Sequence, residues 1–237
     1  MAISAVSEPV AKRAANKKAE QRQVSMDLLL DAALRLFVSQ GYRSTNLEQI
    51  SGAAELTKGA VYFYFGSKEA VLVELLGRVQ DIVVDRALAA VDLVGPNPKD
   101  RLVAYVHYQA NLGITHRDEV LLLILMSLEF KEREGEVKTL IQSLYERQRR
   151  FMESLIKQGQ VAGQFRADVP TRELAAIVLA ANDGTFLEWF RRSASLGGQD
   201  LVRALRTTVL EGVAVHAGAV PIAPEPAPPA RKRARNR

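Results

Sequence analysis

The segment TKGAVYFYFGSKE, residues 57–69, sets four aromatic side chains in a row between two lysines, in a chain only 6% aromatic. Composition allows two readings. Val61-Tyr62-Phe63-Tyr64-Phe65 has the β-branched and aromatic make-up of a strand, yet a run this short carries no decisive periodicity. Its flanks decide. Thr57 suits a helix N-cap, and Ser67, after Gly66, suits the next one. A helix between them puts Val61 and Phe65 on one face and Lys58 and Tyr62 on another. A strand here finds no partner, because no other segment alternates convincingly, so the segment is predicted to be a short helix.

Upstream, Leu29, Ala33, Leu36 and Phe37 recur at helical spacing in a helix read from Val24 to the stop at Gly41. Thr45-Asn46-Leu47-Glu48 has the form of a capping box, in which the Thr45 hydroxyl and the Glu48 carboxylate each satisfy an amide at a helix start. Leu47, Ile50 and Ala54 then continue an apolar stripe. Three short helices, the second and third joined by a tight turn, make a helix-turn-helix, whose second element enters the major groove of DNA.

The whole stretch LLLDAALRLFVSQGYRSTNLEQISGAAELTKGAVYFYFGSKEAVL, residues 28–72, resembles the DNA-binding domain of the TetR/AcrR family of transcriptional regulators. The apolar pair, the two alanines, Leu-Phe, Gly, Thr, Ile, a small-residue turn, Lys-Gly, aliphatic-Tyr, Phe and Ser-Lys-Glu all match, over about a fifth of the chain. The resemblance implies that Thr45, Thr57, Lys58, Gly59, Tyr62, Tyr64 and Lys68 face DNA. Hydroxyls and lysines suit phosphate contacts that fix register, Gly59 lets backbone approach the bases, and Lys58 can donate to guanine acceptors. Glu55 stands where the family pattern has glycine and Ser51 where it has alanine; a turn needing positive φ strains Glu55 by roughly 1 kcal/mol.

Beyond this motif a helical pattern runs from Ser67 to about Asp92, breaks at VGPNPKD, and is followed by helices predicted at 98–115, 118–131, 136–162, 171–193 and 199–216. The chain is therefore read as all-α. It divides into a flexible basic N-terminal arm (1–23), the helix-turn-helix DNA-binding domain (24–68), a larger helical ligand-binding and dimerisation domain (69–217), and a disordered Pro/Ala-rich basic tail (218–237). The resemblance implies that helices 171–193 and 199–216 build a four-helix bundle across a two-fold axis, so that a homodimer reads an inverted-repeat operator in double-stranded DNA. Ala176, Ala180 and Gly184 permit close approach there, and Leu174, Val178, Leu201, Leu205, Val209 and Val213 offer apolar surface. The same residues can equally fill the core of one subunit.

The resemblance also implies a small-molecule effector held among the remaining helices. Tyr105, His107, Tyr108, Asn111, Met126, Phe130, Tyr145, Phe151, Asn182 and Phe186 are the candidate lining residues. Asn182 and Asp183 stand out in an otherwise apolar helix, since burying them unpaired is costly.

Composition narrows the alternatives. The chain of 237 residues has no cysteine, which removes disulfides, thiolate metal sites and cysteine nucleophiles and fits the cytoplasm. VLLLILM, at 120–126, is far shorter than the roughly 20 apolar residues of a membrane span. Ten of the 32 basic side chains lie in residues 1–23 and 221–237, against three of the 27 acidic ones. The positive charge thus belongs to the two ends, as in proteins that meet polyanions. Lys12, Arg13, Lys17 and Lys18 are expected to supply salt-dependent affinity for DNA.

No cofactor and no metal site are expected, and no enzymatic activity. The residues three before His107, His116 and His216 are Ala104, Gly113 and Val213, so the Glu-x-x-His pairs of carboxylate-bridged metals are missing, as are HExxH and GxxxxGK. The reading is a ligand-responsive repressor. An activator is the alternative within that class, and a chromosome-binding protein of low sequence specificity is the alternative outside it.

Overall fold

The computed structural model describes residues 10–192 and 195–215, and these are helical apart from turns and one isolated antiparallel bridge between Phe165 and Ala214. Helix α1 spans Val10–Gln40. It begins well before Val24, so residues 10–23 are not the flexible arm expected there. Their sequence is rich in Ala, Lys, Gln and Arg, strong helix formers that need no apolar stripe to propagate an existing helix. The expected basic tail lies outside the described residues.

Helix α2 (Leu47–Ala53) is capped one residue later than predicted. Asn46 Oδ1 accepts from the Gln49 amide at 2.9 Å, and Gln49 Oε1 accepts from the Asn46 amide at 2.8 Å. Asn outranks Thr at an N-cap, and Gln completes the box as well as Glu does. Thr45, released from that role, turns inward. Glu55 in the following turn has φ 56°, the one positive φ at a described non-glycine residue, as its place in the turn foretold. The left-handed region costs such a residue about 1 kcal/mol.

Helix α3 (Lys58–Tyr64) follows, and Ser67 caps α4 (Lys68–Val79) through its hydroxyl, which accepts from the Ala70 amide at 3.0 Å. The single helix expected to Asp92 is broken in its bonding by a π-helical segment, Gln80–Asp85, before α5 (Arg86–Asp92). Asn97 then caps α6 (Pro98–Thr115), and α7 (Arg117–Glu129), α8 (Glu136–Val161), α9 (Thr171–Arg191) and α10 (Gly198–Val213) lie close to their predicted spans.

Two apolar cores organise these helices. The first joins Phe37, Ile50, Val61 and Leu72 of α1–α4 to Leu122 and Met126 of α7 and Ile141 of α8. The second holds Leu102, Met152, Ile156, Val178 and Val213, from α6 and α8–α10. The N-terminal domain is thus packed on α7 through α1 and α4. Gly159 lets the chain after α8 fold back: a Cβ there would lie 2.0 Å from the ring of Phe165.

Candidate DNA-reading surface and effector cavity

Val61 is fully buried and pins α3 to the first core, while Tyr64 and Phe65 are half-buried against it. Tyr64 was expected to point outward; with Val61 it forms part of the packed side instead, because positions 61, 64 and 65 share one face of a 3.6-residue helix. The opposite face consists of Lys58, Gly59, Tyr62 and Phe63, all exposed. Phe63, absent from the expected set, is 77% exposed against 47% for Tyr62. The Thr57 hydroxyl is exposed and makes no cap bond. Lys58 pairs with Glu48 of α2, and that hydrogen bond, then the charge of Glu48, raises its pKa.

Two of the residues expected to face DNA are committed to the protein. Thr45 is 1% exposed; its hydroxyl donates to the Gly41 carbonyl at 2.9 Å and accepts from Gln40 Nε2 at 3.2 Å. Lys68 Nζ donates to the carbonyls of Tyr42 and Thr45, each at 2.8 Å, and lies 4.3 Å from the centre of the Tyr42 ring. Burial, then the charge of Arg133, lowers its pKa. Both side chains therefore fasten the loop between α1 and α2. The same loop meets the end of α7: Tyr42 packs edge-on to Phe130 at 5.2 Å, and Arg43 Nε donates to Glu129 at 2.6 Å, while Glu129 also holds Arg133.

A cavity of about 440 Å³ opens between α6, the start of α7, α9 and α10. Of the predicted lining residues, His107, Asn111, Asn182 and Phe186 line it. Gln109, Ile114, Val120, Thr185, Trp189, Leu201, Leu205, Arg203 and Arg206 complete most of the wall, and no aspartate or glutamate among the described residues lines it. Phe186 reaches α6 because Gly113 is bare: a Cβ there would lie 3.1 Å from its ring.

The other six predicted residues lie elsewhere. Tyr105 and Met126 are core, Tyr108 is half-buried against the first core, and Phe151 stacks on Tyr105 at 6.3 Å. Phe130 and Tyr145 line a second cavity of about 540 Å³ between α7 and α8. Beside Asn182 on α9, Asp183 is half-buried, and desolvation raises its pKa to about 6 against a hydrogen bond from Asn182. Burial, then the charge of Asp183, pushes Tyr105 well up and Tyr145 up to about 12.

Two family models match the chain: bacterial regulatory proteins of the tetR family over residues 29–75, and the tetracyclin repressor-like C-terminal domain over residues 95–213. The crystal structure of the MbdR regulator from Azoarcus sp. CIB is 40% identical, with 81% of this chain and 100% of that one covered and a TM-score of 0.73. The chain belongs to the TetR family. It is a transcriptional regulator with a helix-turn-helix DNA-binding domain and a helical C-terminal domain. The HTH-type transcriptional repressor KstR2 from Rhodococcus jostii strain RHA1 is 28% identical over 193 residues, 78% of this chain and 89% of its own. AibR, solved in complex with isovaleryl coenzyme A and operator DNA, shares the TetR fold at 22% identity and a TM-score of 0.68, over 78% of this chain and 97% of its own.

In this TetR protein the reading helix was visible in the sequence because its caps and its buried valine are local signals. The α10 side of the cavity was not: Leu201 and Leu205 were expected as candidate dimer surface, and they line the cavity with Arg203 and Arg206. Leu174, Val178, Val209 and Val213, expected as candidate dimer surface, are buried in the second core of the subunit, whereas Ala176, Ala180 and Gly184 are exposed. No helix among the described residues is long and apolar enough to cross a membrane, and no cluster of three metal-ligating side chains occurs among them.

Proposed function

We propose that this regulator is a ligand-responsive repressor that binds an inverted-repeat operator as a symmetric homodimer. The observation that carries the reading is α3 itself: a seven-residue rod whose back is fixed by Val61 and whose front presents Lys58, Gly59, Tyr62 and Phe63 to solvent. Thr57 and Tyr62 offer hydroxyls for phosphate contacts, and Lys58 leaves Glu48 to reach the duplex. Two such rods, related by a two-fold axis, read two inverted half-sites. The exposed strip Ala176, Ile177, Ala180 and Gly184 on α9 supplies the flat, small-residue face for that axis. The similarity to the repressor KstR2 supports repression as the mode of action.

The effector cavity is the one between α6, α9 and α10. Ile114, Phe186, Trp189 and Leu205 give it an apolar wall, and among the described residues the charged side chains of its lining are Arg206 and Arg203, the latter paired with Asp200 at the rim. That combination suits an apolar body carrying an anionic head and disfavours a quaternary ammonium ion. Isovaleryl coenzyme A, named for AibR, is a ligand of that chemistry. A ligand that favours a wrongly spaced dimer lowers operator affinity by the factor by which operator lowers ligand affinity.

Selection of bound duplexes from random sequence by the full chain tests the reading. Paired inverted half-sites preferred over unrelated DNA by about a thousandfold are expected; near-equal binding of all duplexes returns the chromosome-binding alternative. Titration of isovaleryl coenzyme A with and without the selected operator then tests the switch, and equal affinities in both contradict it.

A further inference from the structure

The exposed phenyl ring of Phe63, in the last turn of α3, is not part of the apolar core. No other described aromatic side chain is as exposed as Phe63, and its ring contact is an edge-on approach to Tyr64 at 5.1 Å. Gly59, one turn earlier on the same face, is equally unexplained by packing. A Cβ added there would meet nothing nearer than Thr57 Oγ1 at 3.9 Å, and the residue is not in the left-handed region. Alanine is the better helix former, and nothing packed within the protein calls for glycine at this place in the first turn of α3. Gly59 clears the approach, and Phe63 is what arrives.

We infer that Phe63 is a specificity-determining residue that reads the 5-methyl group of a thymine in each half-site. The inference rests on the proposal that α3 enters the major groove. There the base edges present hydrogen-bond donors and acceptors, and the thymine methyl is the apolar exception. A phenyl ring cannot satisfy the polar positions, and placing it over one leaves that group desolvated and unpaired. Over a methyl it loses nothing and buries apolar surface on both sides. Tyr62, beside it, keeps its hydroxyl for the backbone, so position and readout fall to adjacent residues of one turn.

The test uses the full chain and the operator recovered by selection, with each thymine replaced in turn by deoxyuracil, which removes the methyl and leaves the pairing edge intact. One position per half-site is expected at which uracil weakens binding about fourfold, the value of one buried methyl. Phe63→Ala should bind the thymine and uracil operators alike, with its thermal melt unchanged because the ring is exposed; Phe63→Leu should keep part of the preference. Gly59→Ala should melt no lower than the parent yet bind operator more weakly. Absence of any uracil-sensitive position, or an undiminished preference in Phe63→Ala, overturns the assignment while leaving the regulator reading intact. Failure to recover any preferred duplex overturns both.

Discussion

Asp183 shows how a single side chain is shaped by what surrounds it. In an aqueous helix it would titrate as an ordinary carboxyl near 3.8; here burial raises it to about 6, only partly opposed by Asn182. The tyrosines that feel its charge, Tyr105 of α6 and Tyr145 of α8, offer no counter-ion. A carboxyl whose folded pKa is raised contributes stability below its unfolded pKa and loses it as pH rises through the folded value. Stability should therefore fall between about pH 4 and pH 6 on this account. Asp183→Asn should flatten that fall and stabilise the protein at pH 7 by up to roughly 3 kcal/mol. Urea titrations at a series of pH values measure both, and an unchanged pH slope in the variant would refute the desolvation account. The sequence already marked Asn182-Asp183 as anomalous in an apolar helix. It did not show that the acid faces inward while its neighbour faces the cavity.

Helix α9 carries two faces with the same period. Leu174, Ala175 and Val178 are buried in the subunit, and Ala176, Ile177, Ala180 and Gly184 are exposed, Ile177 by 67%. Apolar residues at i, i+3 and i+4 announce a helix packed on something without saying on what, so the expected dimer surface divides between the two. In the proposed dimer the small side chains left outside allow a second helix to come close, with Ile177 as their one large anchor. Ile177→Glu is expected to weaken dimerisation by about thirtyfold or more, the scale of a central interface residue, with helical content and monomer stability preserved. Sedimentation equilibrium reads the first and circular dichroism the second; a variant that remains as dimeric as the parent removes α9 from the interface.

Taken as one body, the molecule links its two ends through α7. Near its start Val120 lines the cavity, and at its end Glu129 and Phe130 touch Arg43 and Tyr42, in the loop that Lys68 ties to the head of α4. Arg43 is 73% exposed in this pair, so the ion pair itself adds little stability. Its value is positional: it ties the loop between α1 and α2 to the helix that lines the proposed effector cavity. Glu129→Ala should leave operator affinity without ligand within about twofold and reduce the loss caused by isovaleryl coenzyme A by about five- to tenfold, a coupling change of the usual size. Operator titrations with and without the ligand give both numbers, and an unaltered ligand effect would take this contact out of the switch.

The helices and the helix-turn-helix could be read before any coordinates because their signals are local. A cap, a Gly stop, a positive-φ position at Glu55 and a valine four residues from a phenylalanine each act within one or two turns. What folding alone settled was direction and enclosure. Whether Tyr64 or Phe63 meets solvent and whether Val178 lies inside the subunit follow from which neighbour packs against each face. So does the joining of His107 to Arg203 across a cavity, and that neighbour comes from distant sequence whose placement no local period encodes.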